Sequence, residues 1–176
     1  MILTTVFLFI GFGISLPIFT VTGNAISEVI TITLGIALYH FAMRLVVGAF
    51  VNLIMKNKAD HNSVWFREKR FEKNLYNLFR VQKWKKYIPT YNPDTFDTNQ
   101  KTVKEIVGAT CQAEIVHEVI MALSLLPIAA IPFLGGTAAI IITSFVSMMI
   151  DSVFVILQRY NRPRLVRVIE RFDRLK

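Results

Sequence analysis

TAAIIITSFVSMMIDSVFVILQRYNRPR, running from Thr137 to Arg164, decides how this chain folds. Its first part, to Leu157, has the length and apolarity of one helical bilayer crossing, which takes about 20 mostly apolar residues. A single carboxylate, Asp151, interrupts it. The run then leaves through Gln158, Arg159, Tyr160, Asn161, Arg162, Pro163 and Arg164. A stop-transfer signal needs only cations. The added Gln, Tyr, Asn and Pro make this exit either a decorated anchor or part of a site.

Three more stretches share the apolar character: Met1 to about Thr20, about Ile30 to Met55, and about Ile115 to Leu134. Short turns, VTGNAISE and PFLGG, link the first stretch to the second and the third to the fourth. The expected fold is an all-α integral membrane protein, a single membrane domain over residues 1–176. Its four transmembrane helices (about 1–20, 30–55, 115–134 and 137–157) form two hairpins, separated by a polar segment over 56–104 and followed by a tail over 158–176. Composition agrees: 53% of the 176 residues are apolar, mean hydropathy is +0.48, and the formal charge is +8. High hydropathy with a basic balance fits a membrane protein whose cations are gathered in its loops. The first stretch lacks a positive n-region and a small-x-small cleavage site, so it is expected to remain as a helix. One cysteine, Cys111, excludes an intramolecular disulfide and any multi-cysteine metal site. No metal site is expected, and no Walker, Rossmann, zinc-finger or Gly-x-Ser-x-Gly signature is present.

Charge sets the expected orientation. Lys56 to Lys104 holds twelve Lys or Arg against five acids, and Arg159 to Lys176 holds seven against Glu170 and Asp173. The two short turns contain no Lys or Arg. The positive-inside rule then puts the middle segment, the tail and, with four crossings, the N-terminus in the cytoplasm of a bacterial cell membrane.

Within the middle segment, Phe71, Leu75, Leu78 and Phe79 recur at helical spacing among Arg67, Arg70, Lys73 and Arg80. Trp65, Phe66, Trp84 and Tyr87 add aromatic surface. This pattern predicts a basic amphipathic helix at the membrane interface, its rings at headgroup depth and its cations on anionic lipid. A nucleic-acid surface has similar composition. Membrane spans on both flanks favour lipid, so no nucleic-acid partner is expected. TYNPDTFDTN reads as a loop, and a helix restarts near Thr102.

Ionisable groups inside spans are expensive and are functional candidates by default. His40 and Arg44 share one face of the second span. By helical rise, Arg44 lies roughly 16 Å from Met55 and Asp151 roughly 10 Å from Gln158, depths that allow an Arg44–Asp151 pair. Such a pair either holds the spans together or meets substrate. Glu114 and His117, at i and i+3, have acid–base geometry for activating a hydroxyl: the carboxylate orients one imidazole nitrogen and leaves the other as base. The same spacing describes a metal ligand with its supporting carboxylate, or an interfacial histidine bonded to its neighbours. Cys111 reads as a small buried hydrophobe. Arg159, Arg162 and Arg164 offer forked donors to phosphate or carboxylate, with an electrostatic anchor to lipid as the plainer alternative. Pro163 is expected to end or kink the helix there.

Three segments together, RFEKNLYNLFRVQKWKKYIP, EIVGATCQAEIVHEV and VILQRYNRPRL, resemble the glycosyl-4,4'-diaponeurosporenoate acyltransferase family, small membrane enzymes of bacterial carotenoid pathways. The resemblance runs from about Arg70 to Arg167 and is weaker over the first two spans. QRYNRPRL is its most specific piece, followed by Trp84-Lys85 and the Ala-Glu-x-x-His of Ala113 to His117. It implies esterification of a sugar hydroxyl on a glycosylated carotenoid or similar glycolipid. His117 would be the base and Glu114 its orienting carboxylate. Acyl-CoA or acyl-carrier protein would be the donor, with no tightly bound cofactor. Arg159, Arg162 and Arg164, with Lys83 and Lys85, would hold the donor phosphates. Tyr160, Asn161 and Trp84 share their motifs, and His40 and Arg44 complete the candidate substrate contacts. One position departs from the pattern: an aromatic residue follows the histidine in the family, whereas Glu118 stands here, a carboxylate that raises the basicity of His117 or recruits a cation.

Two other readings compete. A non-enzymatic lipid-binding or scaffold protein would use the basic aromatic segments only to grip membrane lipids. A small transporter component would line a polar path with His40, Arg44 and Asp151, and inverted repeats, its usual signature, are not visible.

Overall fold

The computed structural model describes residues 1–88 and 101–174, apart from the side chains of Lys86 and Asp173. The TYNPDTFDTN segment, expected to be a loop, lies outside the described residues. Those described are helical or irregular, with no strand among them. The helices are α1 (Ile2–Thr22), α2 (Ala25–Met55), α3 (Glu72–Leu78), α4 (Val81–Trp84), α5 (Val103–Ser124), α6 (Ile131–Leu134) and α7 (Thr137–Arg174). Among the described residues, four segments are long and apolar enough to cross a membrane: Ile2–Thr22, Ala25–Met55, Val103–Leu134 and Thr137–Phe172. Each span expected from the sequence falls within one of them, Met1 apart, but the helices run further: the second begins at Ala25, the third at Val103, and the fourth continues past Leu157. Most of α1 exposes large apolar side chains, among them Leu3, Phe7, Phe9, Ile10 and Ile14. That surface is unfavourable in water and suited to lipid.

The chain divides into two compact units. The first comprises Met1–Phe50 and Glu118–Asp151, the second Val51–His117 and Ser152–Lys176.

In the first unit, α1 stops at Gly23, whose φ of 57° supplies the left-handed turn and whose N–H reaches Phe19 O. Arg44 of α2 donates to Asp151 Oδ2 of α7 at 2.5 Å and to Ser147 Oγ at 2.9 Å. Ser147 in turn bonds Ser124 Oγ at 2.9 Å. The pair anticipated from helical depth is therefore formed, with Asp151 buried. His40 is 5% exposed, edge-on to Tyr39, and neither ring nitrogen has a hydrogen-bond partner among the described residues.

In the second unit, α5 begins with a capping box. Thr102 Oγ1 accepts from Glu105 N–H while the Glu105 carboxylate accepts from Thr102 N–H. At Gly108 the helix passes so close to Asn57 that an added Cβ would lie 2.2 Å from its carbonyl oxygen. Gln112 fastens the same corner, accepting from Asn57 N–H at 2.7 Å and donating to Asn52 Oδ1 at 3.1 Å.

The polar segment is not one helix. It is built from a 3-10 turn at Val64–Phe66, then α3, α4 and a 3-10 turn at Lys85–Tyr87. Arg80, with φ of 49°, makes the break between α3 and α4. Phe71, Leu78, Phe79, Trp65 and Tyr87 are all exposed.

Of the two outcomes expected at Pro163, an end or a kink, the helix does not end there: α7 continues through it to Arg174. A proline removes one ladder bond and loosens the turn before it. Beside it, Arg164 folds its guanidinium back so that Nη1 donates to Tyr160 O.

Candidate functional site

The site residues expected from the sequence gather mostly in the second unit, around α5 and α7. Glu114 is fully buried, and both of its oxygens meet arginine: Arg159 Nη2 at 2.8 Å from Oε1, and Arg162 Nη2 on Oε2. Arg159 also reaches Glu72 Oε1 at 2.6 Å and Trp65 O at 3.0 Å. Arg162 donates to Phe66 O, Thr110 O and Thr110 Oγ1 and lies over the Phe66 ring at 4.9 Å. Two carboxylates and two guanidiniums thus form one neutral, buried group tying α3, α5, α7 and the 64–66 turn together. Buried charges persist when they are paired and their remaining donors are bonded, as here.

This changes what the exit sequence contains. On a helix, Arg159 and Arg162 share one face, while Arg164 and Arg167 share another, turned from the first by roughly 140° on average. The first pair faces inward and is engaged by acids. Arg164 is exposed, stacked over the Tyr160 ring at 3.6 Å. Lys85 also lies over that ring, at 5.1 Å. Tyr160 itself is buried, with Tyr76 edge-on at 5.3 Å and 89°. Val81, Trp84 and Ile156 complete this small core. The Trp84 indole donates to Phe79 O at 2.8 Å. Asn161 is half-buried on α7.

Tyr76 donates to Glu72 Oε2 at 2.8 Å. Burial, followed by that bond to a carboxylate, holds its phenol well above the ordinary tyrosine range.

His117 lies half-buried at the end of this unit, its ring stacked flat on Phe154 with centroids 4.7 Å apart and planes 9° from parallel. Stacking fixes the ring plane and leaves the nitrogens at the ring edge. Cys111 is buried and unbridged. His40 and Arg44 belong to the first unit, where Arg44 is held by Asp151. No group of three metal-ligating side chains occurs among the described residues.

A cleft of about 490 Å³ opens on α3, α4 and the later part of α7. Lys73, Arg80, Lys83, Arg164 and Arg167 line it against one acid, Glu68, with the amides of Asn77 and Gln82 and the ring of Tyr160. Of these cations the sequence singles out Lys83 and Arg164 for the donor. Lys73 and Arg80 belong to the expected interfacial face, and Arg167 counts there only as tail charge. Glu72, Tyr76 and Phe154 escape sequence reasoning; only the i, i+4 spacing of Glu72 and Tyr76 marks them in advance.

Comparison with known proteins gives a family. The family model described as glycosyl-4,4'-diaponeurosporenoate acyltransferase matches residues 62–171, well over half of the 176-residue chain. No curated protein and no solved structure matches the chain. The matched region holds all three segments that carry the resemblance and excludes the first two spans. The family's name denotes acyl transfer in carotenoid biosynthesis, and on the extent of the match this chain belongs to the glycosyl-4,4'-diaponeurosporenoate acyltransferase family.

Proposed function

We propose that this protein transfers a fatty acyl group from a thioester donor to a hydroxyl of a glycosylated carotenoid or similar glycolipid, at the cytoplasmic face of the membrane. The observation that carries this reading is His117, fixed flat on Phe154 one helical turn from the buried Glu114–Arg159–Arg162 group. An imidazole held in one plane at the edge of a helical unit suits a general base. His117 takes the proton of the acceptor hydroxyl as its oxygen adds to the thioester carbonyl. The tetrahedral intermediate then expels the thiolate, which receives the proton from the imidazolium. One ester forms, one thioester breaks, and the base is restored.

Glu114 is a positioning residue in this scheme, since both its oxygens are already committed to arginine. It sets α5 against α7 and thereby sets His117 on Phe154. The orientation follows from the basic middle segment and tail. We read the four spanning helices as two hairpins and the exposed Trp65, Phe71, Leu78, Phe79 and Tyr87, with their neighbouring cations, as an interfacial surface where amphiphilic substrates meet. Anionic lipid is then a partner as well as a solvent.

His117→Asn, assayed in proteoliposomes with a long-chain acyl thioester and a glycosylated carotenoid acid, is expected to lower turnover by about 10²–10⁴-fold, the usual worth of a general base. Thermal stability should stay near the parent's. Turnover within about twofold of the parent, far less than a general base supplies, would remove His117 from the chemistry. Lipid binding without any acyl transfer by the parent would favour the scaffold reading instead.

A further inference from the structure

The arginines of the exit sequence divide by direction. Arg159 and Arg162 commit their donors to buried carboxylates and carbonyls, so they have little left for an external anion. The cations around the cleft are different. Lys73, Lys83 and Arg167 are exposed, and their side chains make no hydrogen bond or ion pair with other described residues. We propose that this cleft is an anion site for the phosphate-bearing nucleotide head of the acyl donor, acyl-coenzyme A. It rests on the acyl-transfer reading only for what hangs from the phosphates.

Five features favour a nucleotide head. The cleft is concave, and its volume of about 490 Å³ lies within the range of small-molecule sites. A patch serving only to hold anionic lipid has no need of such a hollow. Five cations against Glu68 exceed what one phosphodiester would use and suit several phosphates on one molecule. Arg164 is pre-set: its stacking on Tyr160 and its bond to Tyr160 O fix the plane of a guanidinium whose other N–H groups remain available for forked contact with phosphate. Asn77 and Gln82 add amide groups able to pair with a base or ribose. Arg80 also stands at a positive φ of 49°, an uncommon backbone setting for a long side chain and one found at ligand sites.

Reach is consistent as well. Phe154, beneath His117, precedes Arg164 by ten residues on α7, which is about 15 Å along the axis and about 80° round it. A pantetheine arm has roughly thirteen bonds from sulphur to phosphorus, about four residues of extended backbone, and so spans about 15 Å. A donor seated by its phosphates would bring its thioester to the level of His117.

The test is calorimetric titration of the full chain in neutral detergent micelles with coenzyme A. Coenzyme A is expected to bind, dephospho-coenzyme A to bind about tenfold more weakly, and the triple variant K73Q/K83Q/R167Q to lose at least about tenfold, each amounting to one lost charged contact or more. Its unfolding midpoint should match the parent's, since none of the three side chains is packed. Should that variant not fold, K83Q alone, with severalfold weaker binding, serves in its place. Equal affinity of parent and variant would overturn the site. So would displacement of coenzyme A by phosphatidylglycerol at equal headgroup concentration, which would make the cleft a lipid site. Transfer from acyl-carrier protein with no coenzyme A binding would overturn the cleft assignment and leave the acyltransferase standing. Coenzyme A binding as described, with no transfer from any thioester, would do the reverse.

Discussion

Glu114 is where single-residue chemistry matters most. Its carboxylate is wholly buried and balanced by Arg159 and Arg162, so neutralising it strands the equally buried Arg162 guanidinium and leaves Arg159 with Glu72 alone. Glu114→Gln is expected to cost about 3–5 kcal/mol, against about 0.5 kcal/mol or less for Arg167→Gln on the exposed face, both read from unfolding in detergent. Tyr76 adds a pH dependence. Its phenol titrates higher in the folded chain than in the unfolded one, first because it is buried and then because it is bonded to Glu72. The unfolded chain therefore releases this proton first. The stabilisation is complete below about pH 10, the free tyrosine value, and falls as pH rises beyond it. Tyr76→Phe should flatten that alkaline decline in a series of unfolding midpoints. The sequence displays Glu114 and His117 because they lie one turn apart on a helix. Nothing in it signals that Arg162 answers Glu114 from 48 residues away, since local periodicity carries nothing about long-range pairing.

At the scale of elements, α7 shows how one assumption hides a division. Ending or kinking the helix at Pro163 lets Arg159, Arg162 and Arg164 be read as a single clamp. Letting it run to Arg174, as it does, separates an inward pair from an outward pair on helical geometry alone. The start of α5 is legible, because Thr102 and Glu105 spell a capping box at the right spacing. The fragmentation of the polar segment is less so: its apolar residues keep helical spacing, but Arg80 breaks the backbone between α3 and α4. Gly108 is not legible as a contact point at all. With Asn57 O only 2.2 Å from where a methyl group would stand, Gly108→Ala must push the Lys56–Asn57 corner aside. A cost of about 1–3 kcal/mol is expected, the range for overpacking, measured as a lowered unfolding midpoint.

For the whole molecule, hydropathy locates four helices long and apolar enough to span a membrane, because length and apolarity are additive along a chain. The division into two compact units is beyond it, since that depends on which helix segments pack together. Orientation is open to a direct check. A single cysteine at Arg70, exposed and outside the spans, should react with a membrane-impermeant maleimide in inside-out vesicles and stay unreacted in intact cells. Buried Cys111 keeps the background low.

The neutral group of Glu72, Glu114, Arg159 and Arg162 also has a history in time. On the proposed orientation, Arg159 and Arg162 would count during insertion, before their acids are packed beside them, as full positive charges in fixing which end of the last span stays inside. Once the second unit has folded, those charges are cancelled internally and contribute little to the field its surface presents. On that orientation the same two residues would act first as an address and later as a fastening, and the charge that directs biogenesis would exceed the charge the mature protein shows.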